Sequence, residues 1–192
     1  MKQLVDRILQ ISENKGLTHI GSCLSVLPIL EEIYLTKAIE DKVILCNAHA
    51  HLAHLVVKEY YEKLLGIEEL IDKHGIHCDR DCGCDASGGS LGHGIGIGIG
   101  MALIDRSRGV HVIVSDGSMQ EGSSWEALHL ANELSLTNLH IYANLNGYTA
   151  VQQIDQIELE ERILSFHPDV KVYFTQNGEG YDGIDGHYKG AI

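Results

Sequence analysis

The amino-acid sequence predicts an α/β fold of three layers, with a mostly parallel central sheet and helices on both of its faces. Two patterns point there. Short apolar runs recur at Lys42–Cys46 (KVILC), Val110–Val114 (VHVIV), Leu139–Asn144 (LHIYAN) and Val170–Phe174 (VKVYF). Between the later runs lie helical patterns long enough for the crossovers that parallel strands require. With 192 residues and only two prolines, the chain is expected to form one domain over residues 1–192, with a sizeable core and little disorder.

The elements follow in order. Apolar residues at positions 4, 5, 8, 9 and 11 place one helix face on Met1–Asn14. A second helix is expected over Ser25–Lys37, where Pro28 falls in the first turn and sacrifices no hydrogen bond. After KVILC, Asn47–Leu65 reads as a helix, and Ile67–His74 as a shorter one closed by Gly75. The sixteen residues 75–90 form a loop rich in Gly, Asp, Ser and Cys, and loops of that length are often functional.

Residues 91–102, LGHGIGIGIGMA, carry glycine at every second position from Gly92 to Gly100. The period suits a strand, but glycine weakens strands, and the G-x-G-x-x-G nucleotide fingerprint is absent. As a helix, the segment gathers Gly92, Gly96 and Gly100 on one stripe and Gly94, Gly98 and Ala102 on another, so that neighbours can approach closely. Ser123-Ser124-Trp125-Glu126 fits a capping box before a helix to Leu136, and residues 158–166 predict a further helix.

A formal charge of −13 disfavours nucleic acid as a partner. An anionic ligand would need its cations from a metal, helix N-termini, a few side chains or a partner chain. The longest apolar-plus-glycine stretch, Gly94–Ile104, is about half of a membrane span of roughly 20 residues, so no membrane association is expected. The opening MKQLVDRILQISENKG has no signal-peptide core, and five cysteines fit reduced thiols in a cytoplasmic protein.

In a parallel sheet, ligands bind beyond the carboxyl ends of the strands. After VHVIV comes Ser115-Asp116-Gly117, and after LHIYA comes Asn144-Leu145-Asn146-Gly147-Tyr148. Each alone reads as a turn. Adjacent strands would bring Asp116 and Asn146 together, and a carboxylate, an amide oxygen and a backbone carbonyl suit Mg²⁺.

The stretch SDGSMQEGSSWEALHLANELSLTNLHIYANLNGYTA resembles the thiamine-diphosphate motif of the transketolase family. Other blocks match in the same order: Thr18-His19-Ile20-Gly21, Leu45-Cys46-Asn47-Ala48-His49-Ala50, and Ser87-Gly88-Gly89-Ser90-Leu91-Gly92-His93-Gly94. The resemblance implies a thiamine-diphosphate-binding fold in which Asp116, Asn146 and the Tyr148 carbonyl hold Mg²⁺ (or Ca²⁺ or Mn²⁺). It implies that Ser115 and Gly117 approach the diphosphate, with Gly89 and Leu91 beside the cofactor rings. His19, His49 and His77 match histidines that handle ketose hydroxyls or the cofactor amine, and Glu121 matches a carboxylate at the subunit interface. In the family the glycine-rich helix also lies in the subunit contact.

The chain departs from the pattern in places. Ser115 replaces a glycine, Leu145 stands where an acidic residue is usual, and His93 replaces a glutamine, a change that by the resemblance would add a proton-carrying group near the cofactor. The resemblance fades beyond residue 150, and the pyrimidine-binding domain is missing. The expectation is therefore the diphosphate-binding subunit of a split transketolase. It would transfer a two-carbon ketol unit between sugars or sugar phosphates with a pyrimidine-domain partner, in a heterotetramer built on a dimer. The tail YDGIDGHYKGAI is expected to be a natural small-subunit ending.

Three alternatives stand beside this reading. One is a non-catalytic or regulatory thiamine-diphosphate-binding subunit, and another is a different thiamine enzyme, such as a dehydrogenase E1 component or a deoxyxylulose-phosphate-type synthase. The third is a zinc-binding protein, with Cys78, Cys82 and Cys84 joined by His74 and His77. Against zinc stands the lack of C-x₂-C spacing. His49, His51 and His54 form H-x-H-x-x-H, but on one helix His49 and His51 point roughly 200° apart, too far for one metal.

Overall fold

The computed structural model describes residues 1–186 and 188–191, so His187 and Ile192 of the tail lie outside the described residues. Its centre is a sheet of four parallel strands, β1 (Lys42–Leu45), β2 (Val110–Ser115), β3 (Leu139–Leu145) and β4 (Lys171–Phe174), ordered as in the sequence. Side chains alternate across it. Val43, Leu45, Ile113 and Tyr142 enter one core, while Ile44, Val112, Val114, Ile141 and Ala143 enter the other. The three-layer α/β expectation therefore holds.

Sequential strand order with right-handed crossovers puts every crossover helix on one face. Those helices are α5 (Gly94–Ile104), α6 (Gly122–Leu134) and α7 (Gln156–Phe166). The opposite face would be bare without α1 (Lys2–Lys15), α2 (Ile20–Thr36) and α3 (His51–Tyr61), whose Ile8, Leu27, Leu30 and Leu55 are fully buried. The short α4 (Ile67–His74) extends that layer, and α8 (Gly183–Gly186) lies in the tail. No helix among the described residues is long and apolar enough to cross a membrane.

The glycine-rich segment is helical. A Cβ on Gly98 would fall 2.5 Å from Val112 Cγ2, and one on Gly94 would fall 2.8 Å from Cys46 Cβ, so this stripe lies directly on the sheet. Cβ atoms on Gly96 and Gly100 would meet nothing within 4 Å.

Several boundaries differ from the sequence reading. Helix α2 begins at Ile20 instead of Ser25, which leaves Pro28 inside it. The predicted helix from Asn47 starts with a 3₁₀ turn at Ala48–Ala50 and becomes α-helical only at His51. The capping box does not form. Helix α6 starts at Gly122, and the two serine hydroxyls bond the carbonyls of Gly92 and Ser118. Helix α7 starts two residues before position 158, because the Asp155 carboxylate accepts the N–H groups of Ile157 and Glu158.

Candidate functional site

The register pairs Ser115 with Asn144, so the chain leaves β2 and β3 side by side. Asp116 is fully buried at this point. Its carboxylate accepts the Asn146 N–H at 2.8 Å and the Gly147 N–H at 3.3 Å. Burial pushes its pKa up to about 6 against the opposing pull of those N–H groups. Gly147 must be glycine-like, with φ +86°. The Asn146 side-chain oxygen accepts the Tyr148 N–H at 3.0 Å, and its amide donates to Asn177 Oδ1 at 2.9 Å.

Asn146 and Tyr148 line a cleft of about 150 Å³ together with Ser22, Ser25, Asn47, His49, Gly89 and Leu91, with Asp116 held behind the Asn146 and Gly147 N–H groups. No lysine or arginine lines it. The Asn47 side-chain oxygen is buried with no hydrogen-bond partner. A buried carboxylate without a cation, an amide oxygen and an orphaned acceptor form an oxygen-rich donor set, which fits a hard divalent ion. Gly117 sits close under Leu91, where an added Cβ would lie 3.3 Å from Leu91 Cδ1. The residues present therefore fit Mg²⁺ and a diphosphate.

Of the predicted site residues, Asn146, Tyr148, Ser115, Gly117, Gly89, Leu91 and His49 line this cleft, and Asp116 is buried behind it, bonded to the Asn146 N–H. His19 joins them through His49, their ring centroids being 5.2 Å apart. It caps α2 with φ +64°, a left-handed conformation that costs a non-glycine residue of the order of 1 kcal/mol or more and is concentrated at functional sites. His77 is exposed and borders Gly89. Glu121 stands apart, exposed at the start of α6 against Gly92. His93 does not line the cleft; it lines a neighbouring cavity with Ser87, Ser90 and Ile97.

The departures find physical reasons. Ser115 ends β2 in extended backbone, where glycine is not required. Leu145 is fully buried in the core beneath the sheet, a position hostile to a carboxylate. Sequence reasoning missed the roles of Asn144, Asn177 and Tyr188. Asn144 is buried and donates to Ser25 Oγ at 3.1 Å, and the Tyr188 ring packs edge-on to His19 at 5.4 Å. The segment bearing Asn177 and Tyr188 folds back over α2, which residues beyond the matching motifs gave no sign of.

The sequence profile of the family described as 1-deoxy-D-xylulose-5-phosphate synthase matches residues 1–172. A relative from Clostridium sp. (strain MSTE9), 6-deoxy-6-sulfo-D-fructose transketolase subunit SqwG, is 29% identical over 201 residues, covering 90% of this chain and 68% of the relative. The chain belongs to the family of transketolase and 1-deoxy-D-xylulose-5-phosphate synthase. The transketolase of Mycoplasma pneumoniae is 26% identical over 195 residues, and there the chain spans only 29% of the relative's length. The crystal structure of transketolase from Campylobacter jejuni superposes with TM-score 0.68 over 97% of this chain and 40% of that one, at 16% identity, a likeness of fold. Family membership implies thiamine-diphosphate chemistry, as the order of the sequence blocks suggested.

Proposed function

We propose that this chain is the diphosphate-binding subunit of a two-chain, thiamine-diphosphate-dependent transketolase. The observation that carries the reading is the buried, cation-free Asp116 carboxylate at the adjoining ends of β2 and β3, beside Asn146 and Tyr148. Asp116, the Asn146 side-chain oxygen and the Tyr148 carbonyl would hold Mg²⁺, and the backbone at Ser115 and Gly117 would meet the diphosphate. Gly89 and Leu91 would bound the cofactor rings. When bound, the cofactor supplies the carbanion equivalent that adds to a ketose carbonyl. His19 and His49, together at one side of the cleft, would move protons at the sugar hydroxyls, with His77 beyond Gly89.

The partner requirement rests on what the cleft lacks. Its volume is about 150 Å³, against roughly 300–1,000 Å³ for sites that enclose a small molecule, and no lysine or arginine among the described residues lines it. A pyrimidine-domain chain would close it and supply the missing cations. The open Gly96/Gly100 stripe and the exposed Glu121 offer a contact surface for such assembly. The name of the Clostridium relative, a transketolase subunit, supports the same arrangement.

The matching profile favours a second reading, a deoxyxylulose-phosphate-type synthase. Calorimetric titration with thiamine diphosphate and Mg²⁺, with and without the pyrimidine-domain chain, tests cofactor binding. Product analysis of the reconstituted pair then separates the reactions. A ketose donor and aldose acceptor should give ketol transfer, whereas release of CO₂ from pyruvate with an aldehyde phosphate would establish the synthase. Robust ketol transfer by this chain alone would refute the two-chain reading.

A further inference from the structure

We propose that His51, His54, Cys78 and Cys84 form a structural zinc site that staples the loop of residues 75–93 to α3. One ligand atom from each of the four lies within 4.8 Å of the others, and all four residues are buried. His51 Nδ1 is 3.4 Å from Cys84 Sγ and 3.6 Å from Cys78 Sγ. A tetrahedral zinc with Zn–S of about 2.3 Å and Zn–N of about 2.0–2.1 Å has S···N edges of about 3.6 Å. The two His51–cysteine spacings therefore match the edges of a zinc tetrahedron.

The groups around the ligands suit the ring tautomers that zinc requires. His54 Nε2 is 2.7 Å from the Tyr34 hydroxyl, while its Nδ1 is buried with no hydrogen-bond partner. An Nε2–H donated to Tyr34 leaves the Nδ1 lone pair aimed into the cluster. His51 Nε2 is 3.1 Å from Cys82 Sγ, which again frees Nδ1 for the metal. Such outer partners are characteristic of zinc-bound histidine. Cys82 is itself held by the Asp79 backbone, accepting its N–H and donating to its carbonyl.

The charges also balance. An ionised thiolate this deeply buried is costly without a cation. Zinc binding releases both thiol protons, and two thiolates, two neutral imidazoles and Zn²⁺ sum to zero. Four protein ligands with no open position make the site structural and not catalytic.

The ligand set differs from the groupings suggested by sequence proximity. His74 is turned away to Asp79, its Nδ1 3.3 Å from the carboxylate, and His77 faces Gly89. H-x-H-x-x-H divides, with His49 in the cleft and His51 and His54 in the cluster. The loop then carries Gly89 to the cleft, with the N–H of the preceding Gly88 bonded to the Cys78 carbonyl at 2.9 Å.

The test uses the full chain alone, purified without chelator or polyhistidine tag, so its outcome is separate from that for thiamine diphosphate. Elemental analysis should find one zinc per chain, and Cys84→Ser and His54→Ala should reduce it to background. Because those variants could unfold, the wild type is also exchanged into Co²⁺, which should give the visible spectrum of a tetrahedral ion with thiolate ligands. Removing zinc should lower Tm and open residues 75–93 to proteolysis. A folded wild-type chain that is free of zinc and silent with Co²⁺ would overturn the site, as would a Cys78–Cys84 disulfide in its place.

Discussion

Helix α5 lets the packing cost of one methyl group be measured almost free of other effects. Replacing Gly96 or Gly98 by alanine adds the same atom to the same helix, so each gains about 1 kcal/mol of helix propensity. At Gly96 the new Cβ meets nothing within 4 Å, and the full gain should appear as added stability. At Gly98 it falls 2.5 Å from Val112 Cγ2 and 3.2 Å from Leu139 Cδ1. Val112 is fully buried on β2, between two hydrogen-bonded neighbours, so the methyl cannot retreat and the helix must lift. Overpacking of this kind costs about 1–3 kcal/mol. Gly98→Ala should therefore be about 1–3 kcal/mol less stable than Gly96→Ala, with the wild type between them or close to the former. Urea unfolding of the three chains by circular dichroism measures the difference directly. Equal midpoints for the two variants would refute the placement of the Gly94/Gly98 stripe on the sheet.

Other residues yield their own tests. Asp116→Ala should abolish Mg²⁺-dependent thiamine diphosphate binding in calorimetry while leaving the far-ultraviolet spectrum intact. In magnesium-free buffer Asp116 also has a pH signature. Its pKa is raised from 3.8 to about 6, so between those values the folded chain holds a proton that the unfolded chain has released. Stability contributed by this group is present below about pH 4 and falls by about 3 kcal/mol as pH rises to 6. The difference between wild type and Asp116→Ala in urea midpoints across pH 4–7 isolates that fall, and a flat difference would contradict it. Tyr34→Phe removes the hydroxyl at His54 Nε2 and should weaken zinc retention about 10–100-fold in chelator competition. Asn138 donates to the carbonyls of Ala102, Asp105 and Arg108 at 3.2, 3.1 and 2.9 Å, tying the end of α5 to the start of β3. Asn138→Ala should cost about 1–3 kcal/mol in the same urea assay, because buried acceptors lose their donor.

What the sequence disclosed follows from the range over which each signal acts. The strands were legible because a buried parallel strand is apolar on both faces, as VHVIV and LHIYA are. The adjacency of Asp116 and Asn146 followed from strand order alone. Local signals misled where a tertiary partner outbid the neighbours. Ser123 and Ser124 have the spacing of a helix cap, yet their hydroxyls serve Gly92 and Ser118. The start of α2 depends on His19 adopting a left-handed conformation in contact with His49 and Tyr188, residues far away in the chain.

The Cys/His cluster shows the same limit more sharply, and why it matters to the cleft. Reading by proximity joins Cys78, Cys82 and Cys84 to His74 and His77, but α4 ends at His74 and Gly75 turns the chain with φ +75°. His51 and His54 instead lie three residues apart on α3, which puts them on one face toward the loop. Candidate site residues alternate with the cluster along the chain: His49 precedes His51, His77 precedes Cys78, and Gly89 and Leu91 follow Cys84. Between α4 and α5 the only helical structure among the described residues is the 3₁₀ turn Arg80–Cys82. A loop of that length holds its shape through side chains. Asp85 contributes by accepting the Val43 N–H at the edge of β1, and Lys58 by donating to the Gly83 carbonyl. Those contacts fix the middle of the loop. The Cys78 ligand adds a hold next to His77, and its carbonyl accepts the Gly88 N–H beside Gly89, so the zinc site and the cofactor cleft share one support.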